Sequence, residues 1–214
     1  MCVIDSTDTL TLRFDTITQK SFEQYKKNYR LKFKVDTTNI TQNDSCLTIQ
    51  TQDSIFAFHF LKYDFGNGST DGTYYYYMGL LAPVGLYVVM MIDTHNEIGD
   101  VLLVDDKTSK RYQLASEFDD PCEVLLVSPK NKYMISFANN YYEDNQCFFT
   151  IIGVSKNKGA FSYKAVKVYD SNEWRIKDVV WINENSFAME IITTTRDENS
   201  NNPIETVSYL KVSF

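Results

Sequence analysis

Short apolar runs separated by polar turns repeat along most of this chain. The stretch 121–154 shows the pattern best, with apolar runs at 122–127, 132–138 and 147–154. The turn 128–131 ends the first run, since proline fixes φ and Asn131 tolerates left-handed geometry. A polar loop, 139–146, separates the other two runs. Short strands joined by tight polar connections predict an antiparallel meander.

Further runs with strand character lie on both sides of this stretch. Alternation of apolar and polar residues, or an unbroken apolar run, predicts strands at 9–15, 29–35, 47–51, 54–63, 73–81, 86–93, 100–105, 110–115, 161–169, 176–183, 186–194 and 205–214. Residues 196–203 are polar and are predicted to form a mobile connection. Most of the chain is therefore expected to be strand.

One segment has the period of a helix instead. Phe22, Tyr25 and Tyr29 fall at positions i, i+3 and i+7, which share one face of a helix. The spacing predicts a short helix over 18–28, near the N-terminus. It is the only helix that the sequence predicts.

Some turns between the predicted strands resemble those of β-propeller blades. Residues 128–133, Ser-Pro-Lys-Asn-Lys-Tyr, are similar to the Ser-Pro-Asp-Gly-Lys-Tyr turn of such blades, and the Asp and Lys-Thr-x-Lys pattern at 106–110 resembles their outer hairpin. Tyr75, Tyr77 and Gly79 resemble a strand that precedes the blade repeats of uncharacterised single-domain proteins from Bacteroides-type bacteria. The resemblance covers about residues 73–214, and it implies no known activity.

The predicted fold class is therefore all-β, with one short N-terminal helix. Antiparallel meanders are expected to form a partial or small β-propeller-like domain, and a twisted β-sandwich is the alternative. Residues 1–214 are predicted to be a single β-rich domain. Residues 1–8 are expected to be a flexible N-terminal tether.

The aromatic composition agrees with a fold made of strands, and the net charge favours a basic partner over nucleic acid. The chain has 15 Tyr and 14 Phe, residue types that suit a pleated, half-buried surface. Its net charge is −7, and most of the negative charge falls within residues 51–150. Such a charge repels nucleic acid and attracts a basic partner, although it can also serve solubility alone.

The first residues favour an envelope location. Met1-Cys2 followed by a polar, Thr/Asp-rich run resembles the start of a mature bacterial lipoprotein, in which Cys2 would be the lipid anchor. The expected location is thus periplasmic or outer-membrane-anchored, and an ordinary cytoplasmic start is the alternative. No apolar run approaches the roughly 20 residues that span a bilayer, so no transmembrane segment is expected.

Candidate catalytic groups are sparse. His59 and His95 are far apart in sequence, and His95, which follows a strand in a predicted loop, is the better general base. Acidic pairs such as Asp105 and Asp106 could serve glycoside hydrolysis only if the fold brought two of them together. Cys122 and Cys147 lie in apolar runs, where a disulfide between them is possible but not required. We expect a non-enzymatic protein without a cofactor or a bound metal.

Two loops combine aromatic rings with carboxylates and are the predicted partner-binding residues. They are Glu117, Phe118, Asp119 and Asp120 in the first loop, and Tyr141, Tyr142, Glu143 and Asp144 in the second. Tyrosine offers a rigid contact surface, and carboxylates select a basic partner. The expected function is binding, for example by an immunity protein that neutralises a bacterial toxin through protein–protein contact. An envelope lipoprotein that binds a glycan is the alternative.

Overall fold

A computed structural model describes residues 2–4, 7–30, 32–63, 71–108, 110–114, 122, 125–157, 159–196 and 202–214. Strands make up 61% of the chain and helices 7%. The all-β prediction is confirmed, and the sheets are antiparallel meanders with one helix, as expected. No helix in these ranges is both long and apolar enough to cross a membrane.

The strands follow one another with short connections. In chain order the elements are β1 (Cys2–Val3), β2 (Arg13–Thr16), α1 (Gln19–Asn28), β3 (Ile40–Gln42), β4 (Cys46–Gln50), β5 (Ile55–His59), β6 (Leu61–Lys62), β7 (Gly72–Leu81), β8 (Leu86–Asp93), β9 (Ile98–Asp105), β10 (Arg111–Leu114), β11 (Leu126–Val127), β12 (Tyr133–Asn139), β13 (Cys147–Asn157), β14 (Ala160–Ser171), β15 (Arg175–Asn183), β16 (Ser186–Arg196) and β17 (Pro203–Ser213). The chain divides into two compact units, which are described separately below.

The first unit contains residues 1–4, 32–122 and 155–162. Its larger sheet has the order β1-β10-β9-β8-β7-β6, and its smaller sheet has the order β3-β4-β5. Alternate residues of both sheets share one core, formed by Leu47, Ile49, Phe56, Phe58, Tyr87, Val89, Leu102 and Val104. Cys2 and Val3 form β1, which runs parallel to β10.

The predicted strand at 29–35 is not a continuous strand. Within the described residues of that segment only Lys34 pairs with another strand residue, Leu80. The alternation reflects packing instead. Gly79 has a φ of 149°, and a Cβ there would lie 2.4 Å from the ring of Phe33, so the glycine makes room for that ring. Val35, which a strand would place on the same face as Phe33, is 70% exposed.

The second unit contains residues 5–31, 123–154 and 163–214. One of its sheets has the order β11-β12-β13-β14, and the other has the order β15-β16-β17-β2. Residues of both sheets form a single hydrophobic core of Ile135, Phe137, Cys147, Phe149, Ile151, Trp174, Ile176, Val179, Trp181, Phe187, Met189, Ile191 and Val212. Close to the N-terminus, the amides of Thr7 and Thr9 donate to the carbonyls of Ala165 and Val166.

The turn at 128–131 has the geometry that the sequence predicts. Asn131 has a φ of 61°, which confirms the left-handed asparagine. The turn is also held from outside, because the carboxylate of Glu184 accepts hydrogen bonds from Ser128 Oγ (2.6 Å) and from the amides of Lys130 (2.6 Å) and Lys132 (2.9 Å).

The helix prediction is confirmed as well. Thr18 is the N-cap of α1, and its side chain accepts a hydrogen bond from the amide of Ser21. Phe22 is fully buried against the sheet of β15–β17, where its ring lies 5.3 Å from that of Tyr209.

The likeness to a propeller is loose. Propeller blades have four strands. Two of the four sheets have that number, and the other two have six and three strands. The four-stranded sheets are those of the second unit, which contains the blade-like turn at 128–133, whereas the one at 106–110 lies in the first unit.

Candidate functional site

The second predicted binding loop connects β12 to β13 at one end of the second unit. The amide of Asn140 donates to the carbonyl of Gln146 (2.9 Å), which closes the base of the loop. The side chain of Asn140 donates to Gln146 Oε1 (2.5 Å) and accepts from the amide of Tyr142 (2.9 Å). Asparagine favours such local bonds to nearby backbone, so the loop has a defined turn.

Two asparagines also fasten this loop to the opposite sheet. Asn139 Nδ2 donates to the carbonyl of Ile176, and Asn139 Oδ1 accepts from the amide of Ile176, both at 2.8 Å. Asn145 makes the same pair of bonds to Thr194, at 2.8 and 2.7 Å. A primary amide carries the donor and acceptor of a peptide group, so each side chain extends the strand pairing of β15 or β16. We call these two residues the asparagine clamps.

The tyrosines of the loop point away from the core. Tyr141 is 83% exposed and Tyr142 is 68% exposed. Their rings meet edge to face, with centroids 5.7 Å apart and an interplanar angle of 88°. This is a preferred arrangement for two aromatic rings. The loop therefore presents two large rings that are held by each other and by the clamped backbone.

The two carboxylates of the loop differ in their surroundings. Asp144 Oδ2 accepts from both Nε (3.1 Å) and Nη2 (2.8 Å) of Arg196, at the end of β16. Glu143 is exposed, and no ion pair to it is seen within the described ranges. The loop is therefore less acidic than its sequence suggests, because Arg196 offsets one of its two charges.

A shallow cavity of about 620 Å³ adjoins this loop. Its lining is polar apart from one ring, and consists of Tyr142, Glu143, Asp144, Asn145, Gln146, Asn172 and Arg196. Three of the four predicted residues of this loop line it, and Tyr141 lies beside them in sequence. The cavity offers amides, two carboxylates and a guanidinium, which suits polar contacts more than the burial of an apolar ligand.

Arg196, Asn172 and the role of the clamps were not expected from the sequence. Arg196 was assigned to a mobile connection, yet it is the last residue of β16. It is separated from Asp144 by 52 positions. No local pattern signals a contact of that separation. The asparagines were visible in the loop, but their partners depend on how the two sheets face each other.

The other predicted partner-binding loop, Glu117, Phe118, Asp119 and Asp120, lies outside the described residues. Cys2 is described in its backbone alone, as part of β1. Both assignments stay predictions.

The thiols in the apolar runs form no disulfide. Cys122 and Cys147 are both buried. Burial raises the pKa of the Cys147 thiol to about 12, well above its ordinary value. Since the thiolate is the nucleophile, this cysteine is poorly reactive at neutral pH.

The remaining candidate groups hold turns in the first unit. Asp93 Oδ1 accepts from the amides of His95 (3.0 Å) and Asn96 (3.1 Å). Asp105 Oδ1 likewise accepts from Lys107 and Thr108. Burial, followed by the neighbouring Asp105 charge, raises the pKa of Asp106. In the described part of the chain, no three His, Cys, Asp or Glu residues are grouped to hold a metal ion.

Comparison with known proteins gives no assignment. No significant match is found among protein-family models, curated protein sequences or solved structures. The resemblance to blade repeats of Bacteroides-type proteins stays a prediction.

Proposed function

We propose that this chain is a non-enzymatic binding protein and that its β12–β13 loop contacts a protein partner. The observation that carries the proposal is the exposure of Tyr141 and Tyr142 on a loop fixed by the asparagine clamps. Exposed aromatic side chains at the centre of an interface often contribute most of the binding energy. A loop that is already ordered loses little further entropy when it binds, so it binds more tightly than a flexible one.

The charge of the loop favours a basic partner. Glu143 has an exposed carboxylate, and Asp144 keeps one oxygen that Arg196 does not engage. The chain as a whole carries a net charge of −7. A partner with Lys or Arg near an apolar patch would meet both the rings and the carboxylate. The specific form we propose is an immunity protein that covers a basic surface of a bacterial toxin, held at the envelope by a lipid on Cys2.

The test uses the product of the adjacent gene, co-expressed with the full chain. A stable complex is expected, and the double change Tyr141→Ala and Tyr142→Ala should weaken it about 100-fold or more, as for two hot-spot residues. Tyr76→Ala is the matched control, because Tyr76 is an exposed tyrosine (44%) of the first unit. Absence of a complex, or a complex that the double change leaves intact, would contradict the proposal.

A glycan-binding function is the second candidate. It rests on the aromatic side chains of β7, of which Tyr76 is 44% exposed and Tyr74 lies 6.0 Å from the ring of Phe60. Sugar rings stack on such faces. A glycan array separates the two candidates, since signal lost on Tyr76→Ala but kept on the loop double change would support this one. Silence across the array would count against it.

A further inference from the structure

The outer edge of β17 is unpaired over its first half. In the sheet order β15-β16-β17-β2, β2 pairs with β17 only from Leu210 to Ser213. The next hydrogen bond on that side joins the amide of Ile17 to the carbonyl of Tyr209. No described strand pairs with the edge from Pro203 to Ser208, and residues 203–207 are all exposed. An open edge of this kind can pair with another strand.

Successive residues of a strand direct their amide and carbonyl groups to opposite sides, which determines the backbone groups that point outward from this edge. Tyr209 directs its carbonyl toward the β2 side, whereas the amide of Phe214 faces β16, where it donates to Asn185. Odd-numbered residues therefore face away from β16 and even-numbered residues face it. Over the open segment, Glu205 and Val207 each direct an amide and a carbonyl outward, and Pro203 adds a carbonyl.

Apart from Pro203 at its start, this segment has few of the features by which proteins usually block an edge. The pairing of β16 with β17 runs over eleven residue pairs without a register shift, so no bulge twists the edge away. Lys211 is the first lysine of β17. The only charged side chain of the segment, Glu205, is paired with Arg175 of the same chain. Ile204 (54%) and Val207 (43%) remain exposed on the two faces of the strand.

We infer that this edge is the interface of a homodimer, in which β17 of a second copy pairs antiparallel with β17. An edge with outward amide and carbonyl groups on alternate residues is complementary to itself under a two-fold rotation. The odd-numbered residues of the two copies then exchange backbone hydrogen bonds, and the exposed Ile204 and Val207 side chains gain apolar neighbours. Because Arg175 neutralises Glu205, the two edges do not repel each other. The segment is short, so a weak, concentration-dependent dimer is expected.

Hydrogen exchange followed by NMR tests the pairing without any substitution. In a monomer the amides of Glu205 and Val207 should exchange fast, while those of Thr206 and Ser208, which face β16, exchange slowly. Raising the protein concentration from about 20 µM to 1 mM should slow exchange at Glu205 and Val207 at least fivefold and leave Thr206 unchanged. Equal rates at both concentrations for Glu205 and Val207 would overturn the inference.

Sedimentation equilibrium of substituted full-length chains provides the second readout. Val207→Pro removes an outward amide that bonds to nothing in β16, so it should weaken the dimer at least tenfold with little change in circular dichroism. Ile204→Lys should do the same by placing a charge at the edge. Val207→Thr keeps the amide and a β-branched side chain, and should leave association within threefold of wild type. A wild-type chain that stays monomeric at 1 mM, or a dimer that survives both disruptive changes, refutes the interface.

Discussion

Replacing Asn145 by alanine should measure what one asparagine clamp contributes to stability. The change removes both hydrogen bonds between the side chain of Asn145 and the backbone of Thr194. Thr194 is largely buried, so its amide and carbonyl must then be solvated by the loop or by water. A typical hydrogen bond contributes about 1 kcal/mol net, and a stranded buried group costs more. The expected loss is therefore about 2–3 kcal/mol of unfolding free energy.

Thermal and urea unfolding of the full chain give the measurement. For a chain of this size each kcal/mol shifts Tm by roughly 2–4 °C, so Asn145→Ala should lower it by about 4–12 °C. Asn172→Ala is the control, because Asn172 is an exposed asparagine on the same cavity wall and has no hydrogen bond to another described side chain or backbone group. Its effect should stay within about 0.5 kcal/mol.

The stability of the Asn145→Asp variant, measured at two pH values, provides a second test of the same clamp. The aspartate keeps an acceptor for the amide of Thr194. Its second oxygen, however, faces the carbonyl of Thr194, to which the amide group of Asn145 donates at 2.8 Å in the wild-type chain. Once protonated, below about pH 4, the acid can donate again. The defect should thus be larger at pH 7 than at pH 4. If Asn145→Ala matches Asn172→Ala, or if the aspartate variant shows no such pH dependence, the clamp does not stabilise the loop as argued.

Two further predictions concern the second unit. Glu184→Ala should lower the unfolding free energy by about 3 kcal/mol, because three donors in and next to the turn at 128–131 lose a charged acceptor. Urea unfolding would measure this loss, with Glu173→Ala, a change of a solvent-exposed acid, as the control. The Cys147 thiol has a pKa raised from 9.0 to about 12, so the stability linked to its protonated form is complete below pH 9 and is lost as pH rises toward 12. Urea unfolding under reductant should therefore show a decline above pH 9 that is shallower in Cys147→Ala, and equal slopes would refute the assignment.

Local features of this fold could be predicted from the sequence. The three strands around the turn at 128–131 were recognised because proline and Asn131 determine that turn with little help from distant residues. The helix was recognised because Phe22, Tyr25 and Tyr29 recur at the spacing of one helix face, and Phe22 is the buried residue of that face. In such cases the pattern and the packing arise within one segment.

Features that depend on distant partners could not be predicted. Apolar and polar residues alternate at 29–35 as they would in a strand, but here the alternation places Phe33 in the space beside Gly79. The sequence pattern does not distinguish these two cases. The acidity of the predicted binding loop was overestimated because Arg196, which offsets Asp144, lies 52 positions away. Tyr141 and Tyr142 were correctly placed on a loop, but its attachment by Asn139 and Asn145 required the facing sheet.

The pairing of β2 with β17 has a consequence for the order in which the chain folds. Thr16 and Leu210 are neighbours in that sheet, although nearly the whole described chain lies between them. During synthesis β2 therefore cannot pair until β17 has been made. Hairpins such as β4–β5 and β8–β9 can form as soon as they leave the ribosome. Until β17 emerges, the apolar residues of β15 and β16 lack the neighbouring strand that completes their sheet and part of their core. The nascent chain is most prone to aggregation during this interval.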